Sequence, residues 1–187
     1  PSLVPGGSLE KKIIIELAGQ MPCFPHETKP IQSFIGEYLA KIGRDDLVRQ
    51  YELEPFDVPV QSLGRTVVDK TYALCDYYVI NRCARRSRHV YDLFKILGSF
   101  ELDEGVARLF YDVRQYRYEN PVCYSSRRYI KLHDVMKGII DSRAYEEDFD
   151  TLTSPLLYEE VKYRDCEPTL IKIHAFLEKH SNIIDKK

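Results

Sequence analysis

TVVDKTYALCDYYVINRCARRSRHVYDLFKIL, Thr66 to Leu97, is the stretch on which the reading of this chain turns. Its first half predicts a helix. Val67, Thr71, Leu74, Cys75 and Tyr78 fall on one stripe, Thr66 can cap it, and Asp69 three residues on can close a capping box. Lys70 lies at the edge of that stripe, where a lysine ordinarily lays its stem over the core and keeps its ammonium in water. The second half predicts another helix, because Val90, Leu93, Phe94 and Leu97 recur at helical spacing and Gly98 follows as a stop. Asp92 sits off that face, four residues after Arg88. The plain expectation there is a surface ion pair contributing roughly 0.2 to 0.5 kcal/mol.

Just ahead of Asp92, Arg82, Arg85, Arg86 and Arg88 gather positive charge. Such a patch can position phosphates of a nucleotide or of RNA without reading sequence, or it can be a solvated helix end. His89 reads either as a buried histidine that orients a neighbour or as a titrating group.

Upstream, Phe56, Val58 and Val60 alternate with Asp57, Pro59 and Gln61, which predicts a short strand at a sheet edge. Pro22, Pro25 and Pro30 punctuate a loop, and Thr28 with Pro30 fits a helix start. Ile31, Phe34, Ile35, Tyr38, Leu39 and Ile42 share one face, expected in the core, and Gly43 ends that helix. Lys12 to Leu17, KIIIEL, predicts a buried strand with Ile14 and Glu16 on one side. An acid there is costly to bury unless it is paired, holds a metal or reaches water at an edge. The lead PSLVPGGS is turn-rich and reads as a linker, a loop or a cloning remnant.

Downstream, Val106, Leu109, Phe110, Val113 and Tyr116 mark one amphipathic helix. Tyr129, Leu132, Met136 and Ile139 mark a second, and Leu170, Ile173, His174 and Leu177 a third, with Pro168 near its start. YEEDFDTLTSPLLY, Tyr145 to Tyr158, is an acidic amphipathic stretch whose Phe149, Leu152 and Leu156 are expected to pack.

The 187 residues allow one domain with a substantial core, or a small remnant plus a domain, and 44% hydrophobic with 30% charged residues is ordinary for a soluble globular protein. Lys plus Arg number 27 against 29 Asp plus Glu, so nucleic-acid binding would have to come from a local patch. The apolar runs are too short for a membrane span, and no signal peptide is visible. The 5 cysteines are scattered and form no C-x-x-C pair, which argues for reduced thiols in a cytoplasm and against a zinc knuckle. The 14 tyrosines can stack on bases or fill a helical core with a wet edge.

Thr66-x-x-Asp69-Lys70 followed by Ser87-Arg88-His89-x-Tyr91-Asp92-Leu93 resembles the AbiEii/AbiGii-type nucleotidyltransferase toxins of bacterial abortive-infection and toxin-antitoxin systems. The resemblance covers nearly all of residues 11 to 180. It implies an α+β, mainly α-helical fold. Residues 1–64 would be remnant strands of a polymerase-β-like nucleotidyltransferase core, and residues 65–187 a helical domain carrying the two motifs.

The resemblance makes Lys70 and Asp92 catalytic, with Lys70, Arg85, Arg86 and Arg88 contacting phosphates of a nucleotide or RNA. Glu16 matches the family's third carboxylate and would hold Mg²⁺. The complete enzyme would use Mg²⁺ and a nucleoside triphosphate, transfer a nucleotide to an acceptor such as tRNA, and be held in check by a cognate antitoxin.

One departure bears on activity. The family's other acids belong to a Gly-Ser...Asp-x-Asp motif, whereas here Gly7-Ser8 is followed by Glu10 and Glu16 and no Asp-x-Asp appears downstream in the right setting. Two of the three expected metal carboxylates are therefore missing. The expectation is a fragment lacking its N-terminal catalytic part, or a relative that only binds. Two other classes stay open: a catalytically inactive helical module that binds an antitoxin or RNA, and a plain RNA-binding domain using the arginines.

Overall fold

The computed structural model describes residues 24–186. The predicted strand Lys12 to Leu17 with Glu16, and the Gly7-Ser8 pair, lie outside the described residues. Within them the chain is mainly helical with one two-stranded antiparallel sheet, the α+β class expected.

The strands are β1 (His26–Ile31) and β2 (Phe56–Gln61), in a register that sets Thr28 opposite Pro59 and Ile31 opposite Phe56. Between them run two short helices, α1 (Phe34–Lys41) and α2 (Asp45–Gln50). The strand expected at Phe56 to Gln61 forms as β2, and in a two-stranded ribbon Pro59 stands at an edge. Its burial alternates only in part, since Val58 and Val60 are half-buried but Phe56 is exposed and Gln61 is half-buried. The helix start expected at Thr28 and Pro30 is overturned, since both residues lie in β1. A proline's fixed φ is compatible with an extended strand, and its missing N–H costs nothing at an edge. α1 begins instead after Ser33, whose hydroxyl accepts from Gly36 N at 3.1 Å.

The core expectation for α1 is overturned too. Phe34 is 88% exposed and Ile35 66%, and Tyr38, Ile42 and Ile31 are also on the surface. Helical spacing tells which side chains share a face, not what covers it. Backbone contact holds α1 in its place. Gly36 lies so close to Leu53 that a Cβ would stand 2.6 Å from its carbonyl oxygen, to which Gln32 Nε2 donates at 2.8 Å.

The helical body is built around α3 (Leu63–Val79). Against it pack α4 (Arg88–Leu97), α5 (Glu104–Tyr118) and α6 (Leu132–Ser142), with a 3₁₀ turn at Tyr124–Ser126. The one-turn α7 (Glu146–Asp148) leads through a π turn and a second 3₁₀ turn to α8 (Tyr163–Lys179), which lies on α4 and α6. The short α9 (Ser181–Ile184) returns to α5.

The two stripes of the Thr66 to Leu97 stretch are core as expected. Val67, Thr71, Leu74, Cys75, Val90, Leu93 and Leu97 are buried, with Tyr78 and Phe94 packed at the margin. The capping prediction is corrected. α3 starts at Leu63, capped by Ser62 Oγ accepting from Arg65 N at 3.2 Å. Thr66 therefore lies inside the first turn and donates to Ser62 O, while Asp69 accepts from Gln61 and Arg65. Arg65, itself buried, donates to Phe24 O at 2.6 Å and ties the helical body to the chain just before β1.

The later helices form where their periodicity puts them, with exceptions at their edges. Tyr116 is exposed, and Tyr129 precedes α6 and is exposed as well. In the acidic stretch Tyr145 and Phe149 are fully buried, but Leu152 and Leu156 face outward. Burial is spent on the first turn of that stretch because Tyr145 Oη donates to Leu74 O of α3 at 2.8 Å.

Candidate functional site

Packing of α4 on α3 brings the two motif residues together: Lys70 Nζ stands 2.7 Å from Asp92 Oδ2, each side chain about one-third exposed. The Arg88–Asp92 pair expected from helical spacing does not form among the described residues. Arg88 points to solvent, and Asp92 is turned to Lys70 and to His89. A partner reached across the helix interface is partly shielded from water and outcompetes a fully solvated one.

His89 is the buried member of this group. Its Nδ1 lies 3.6 Å from Asp92 Oδ2, an electrostatic contact longer than a hydrogen bond, and has no hydrogen-bond partner among the described residues. The imidazole lies parallel to the Tyr77 ring at 6.4 Å, and the Arg86 guanidinium covers that ring at 4.5 Å. Burial pushes the Asp92 carboxyl up, but the His89 and Lys70 side chains outweigh it and hold Asp92 below the usual carboxylate range. It is therefore an anion at neutral pH.

Lys70 and Asp92 open onto a cleft of about 310 Å³, lined by Thr66 and Lys70 from α3 and by Tyr91, Asp92, Lys95 and Ile96 from α4. The spacing explains the lining, because residues three or four apart share a helix face. That volume is enough for a small ligand or part of a larger one. At the rim, Glu159 accepts from Tyr91 Oη at 2.5 Å and pairs with Lys95 Nζ at 3.0 Å. The hydrogen bond to Glu159 raises the Tyr91 phenol to about 12. Sequence reasoning missed Tyr91, Lys95 and Glu159. Tyr91 immediately precedes Asp92 within its motif and Lys95 follows it at helical spacing, so both could have been found there. Glu159 carries no local signal.

The arginines split. Arg85, Arg86 and Arg88 do not line the cleft: Arg85 and Arg88 are exposed, and Arg86 is half-buried over Tyr77. Their turn is held by its backbone. Arg85 has φ +62, and the N–H groups of Arg85, Arg86 and Ser87 all donate to the Asp148 carboxylate, at 2.5, 3.1 and 3.1 Å.

Burial raises the Asp148 carboxyl, but these backbone donors and the Ser87 side chain outweigh it, and the group titrates below its usual range. A carboxyl depressed on folding stabilises fully above its unfolded pKa, roughly 3.9, and that contribution is lost as pH falls through the lower folded value. Asp148→Asn is accordingly less stable than wild type at neutral pH. Urea unfolding curves of the two proteins should converge as pH falls through the lowered folded-state value of Asp148.

Among the described residues no group of three His, Cys, Asp or Glu side chains could hold a metal ion. Asp92 already carries the Lys70 ammonium, so the described residues by themselves do not fit a Mg²⁺ shell. Glu16, the other proposed ligand, lies outside them. No described helix is long and apolar enough to cross a membrane.

No curated protein and no solved structure matches the chain. The family model described as nucleotidyl transferase AbiEii toxin, Type IV TA system, matches residues 1–178. With that match over nearly its whole length, the chain belongs to the AbiEii nucleotidyl transferase toxin family.

Proposed function

We propose that the cleft between α3 and α4 is the nucleotide end of a toxin nucleotidyltransferase, in which Lys70 and Asp92 act together. Family membership carries the toxin role, a nucleoside triphosphate as substrate and an antitoxin as counterpart. The observation that supports this use of the cleft is the Lys70–Asp92 contact of 2.7 Å at its wall, made by residues 22 positions apart in sequence. In the proposed reaction an acceptor hydroxyl attacks the α-phosphorus. The new O–P bond forms as the bond to the leaving pyrophosphate breaks. Lys70 neutralises phosphate charge, and Asp92, an anion at neutral pH, receives or orients the acceptor proton.

In this reading the acceptor is an RNA such as tRNA, and the exposed Arg85, with Arg82, on the turn before α4 and Arg88 at its start hold its phosphates. Mg²⁺ belongs to this reading through Glu16, which would hold it, and not through Asp92, whose carboxylate is taken by Lys70. Residues 1–64 and 65–187 are the two proposed units, their boundary falling in the first turn of α3. The four described cysteines are free thiols, which supports a reducing, cytoplasmic setting.

The test is nucleotide transfer from a labelled nucleoside triphosphate to RNA by the protein at its native length. Lys70→Ala and Asp92→Ala, with unchanged circular dichroism, lose the labelling. Unchanged labelling removes both residues from the mechanism. The exposed arginine turn favours one second reading, RNA binding without catalysis. It predicts retention of RNA that falls steeply with salt and does not depend on Mg²⁺.

A further inference from the structure

The cleft holds a second ammonium that the two motifs do not account for. Lys95 stands three residues after Asp92 and four after Tyr91, so α4 offers Asp92 to Lys70 on one side and Tyr91 with Lys95 to Glu159 on the other. Both lysines line the cleft, and among the described residues each is matched by a single carboxylate. The two pairs differ in their settings. Asp92 is fixed on α4 and half shielded, with His89 behind it. Glu159 is exposed and lies in the non-helical connection before α8, where its oxygen Oε1 takes both Tyr91 Oη and Lys95 Nζ. An ion pair between exposed side chains is weak and readily exchanged. A polyphosphate chain brings several charged oxygens where Glu159 brings one carboxylate, and charge-assisted bonds to phosphate oxygens are strong.

We infer that Lys95 and Tyr91 form a second phosphate subsite for the substrate's triphosphate chain, and that the Glu159 carboxylate occupies it as an internal anion which the substrate displaces. This rests on the cleft being a nucleotide site. Lys70 takes one part of the phosphate chain and Lys95 another. Tyr91, which stays protonated at neutral pH, donates its hydroxyl to a phosphate oxygen in place of Glu159. Displaced Glu159 then faces water, at no cost in buried charge.

The experiment is titration calorimetry of the intact protein with inorganic tripolyphosphate and, separately, with a nucleoside triphosphate. Glu159→Gln should bind tripolyphosphate about two- to fivefold more tightly, what release of an exposed ion pair is worth. Lys95→Met should bind it more weakly, and Glu159→Gln made in the Lys95→Met protein should tighten binding less than it does in wild type, since only Tyr91 is then left to be freed. Glu160→Gln, the same charge change one residue on, is the control for the general field. Equal tightening in Glu160→Gln, or tightening undiminished in the Lys95→Met protein, overturns the internal-anion role. If Lys70→Met weakens binding while the Lys95 and Glu159 variants match wild type, the subsite is wrong and the nucleotide reading stands. If wild type binds neither tripolyphosphate nor nucleotide, both fail.

Discussion

Asp76→Ala lowers the stability of the protein by about 3 to 5 kcal/mol, the cost of leaving a buried charge without its partner. Asp76 sits on α3 and is 8% exposed. One of its oxygens accepts from Ser125 N at 2.7 Å and from Ser125 Oγ at 2.6 Å, and the other takes the Arg117 guanidinium of α5. Arg117 in turn lies over the Tyr72 ring at 4.7 Å and donates through Nε to Ser126 Oγ at 3.1 Å. The carboxylate therefore joins the middle helix, its neighbour and the turn between α5 and α6 at one point. Its loss leaves the guanidinium enclosed and two Ser125 donors without an acceptor. Urea unfolding measures the effect. Adding Arg117→Met to Asp76→Ala should cost far less than Arg117→Met alone, because the charge left unpaired is removed with it. Additive losses, or a loss under about 1 kcal/mol for Asp76→Ala, would mean that water reaches the pair and that it behaves as a surface one.

Periodicity made the centre of the fold legible and left its outer parts open. The stripes of α3 and α4 are core because a helix of that length with one apolar face has to bury it, and Val67, Leu74, Val90 and Leu93 do so completely. The same pattern misled at Phe34 and Ile35, where a face exists but the described residues do not cover it. Pro30 misled for a different reason, since a proline compatible with the first turn of a helix is equally compatible with an edge strand, and pairing with Asp57 of β2 decided it. The candidate site divides in the same way. Lys70 and Asp92 were visible through their motifs, with Tyr91 beside Asp92 in sequence and Lys95 one helical step after it. Glu159 and Asp148 reach the site region from more than 55 residues away along the chain. Contacts of that range depend on how helices pack, and no local spacing encodes them.

If the proposed role is right, Lys70→Ala should separate function from folding. Its side chain is about one-third exposed, and an ion pair in that setting contributes between about 0 and 1 kcal/mol, so the variant should unfold within that margin of wild type. Transfer should behave differently. A fixed cation aimed at charge that develops in the transition state is worth about 100- to 1,000-fold in rate, because the protein has already oriented it. Lys70→Arg keeps the charge but places a planar fork where a compact ammonium sits on Asp92, and should recover only part of the rate. Asp92→Asn completes the comparison. It removes the anion with little change of shape and frees the Lys70 ammonium, so phosphate binding should hold or improve while transfer falls. Single-turnover rates and nucleotide affinities of the three variants, taken on the protein at its native length, distinguish the roles. A fall in rate and affinity together for Asp92→Asn would make Asp92 a support for Lys70, and a fall in rate alone makes it a participant in the chemistry.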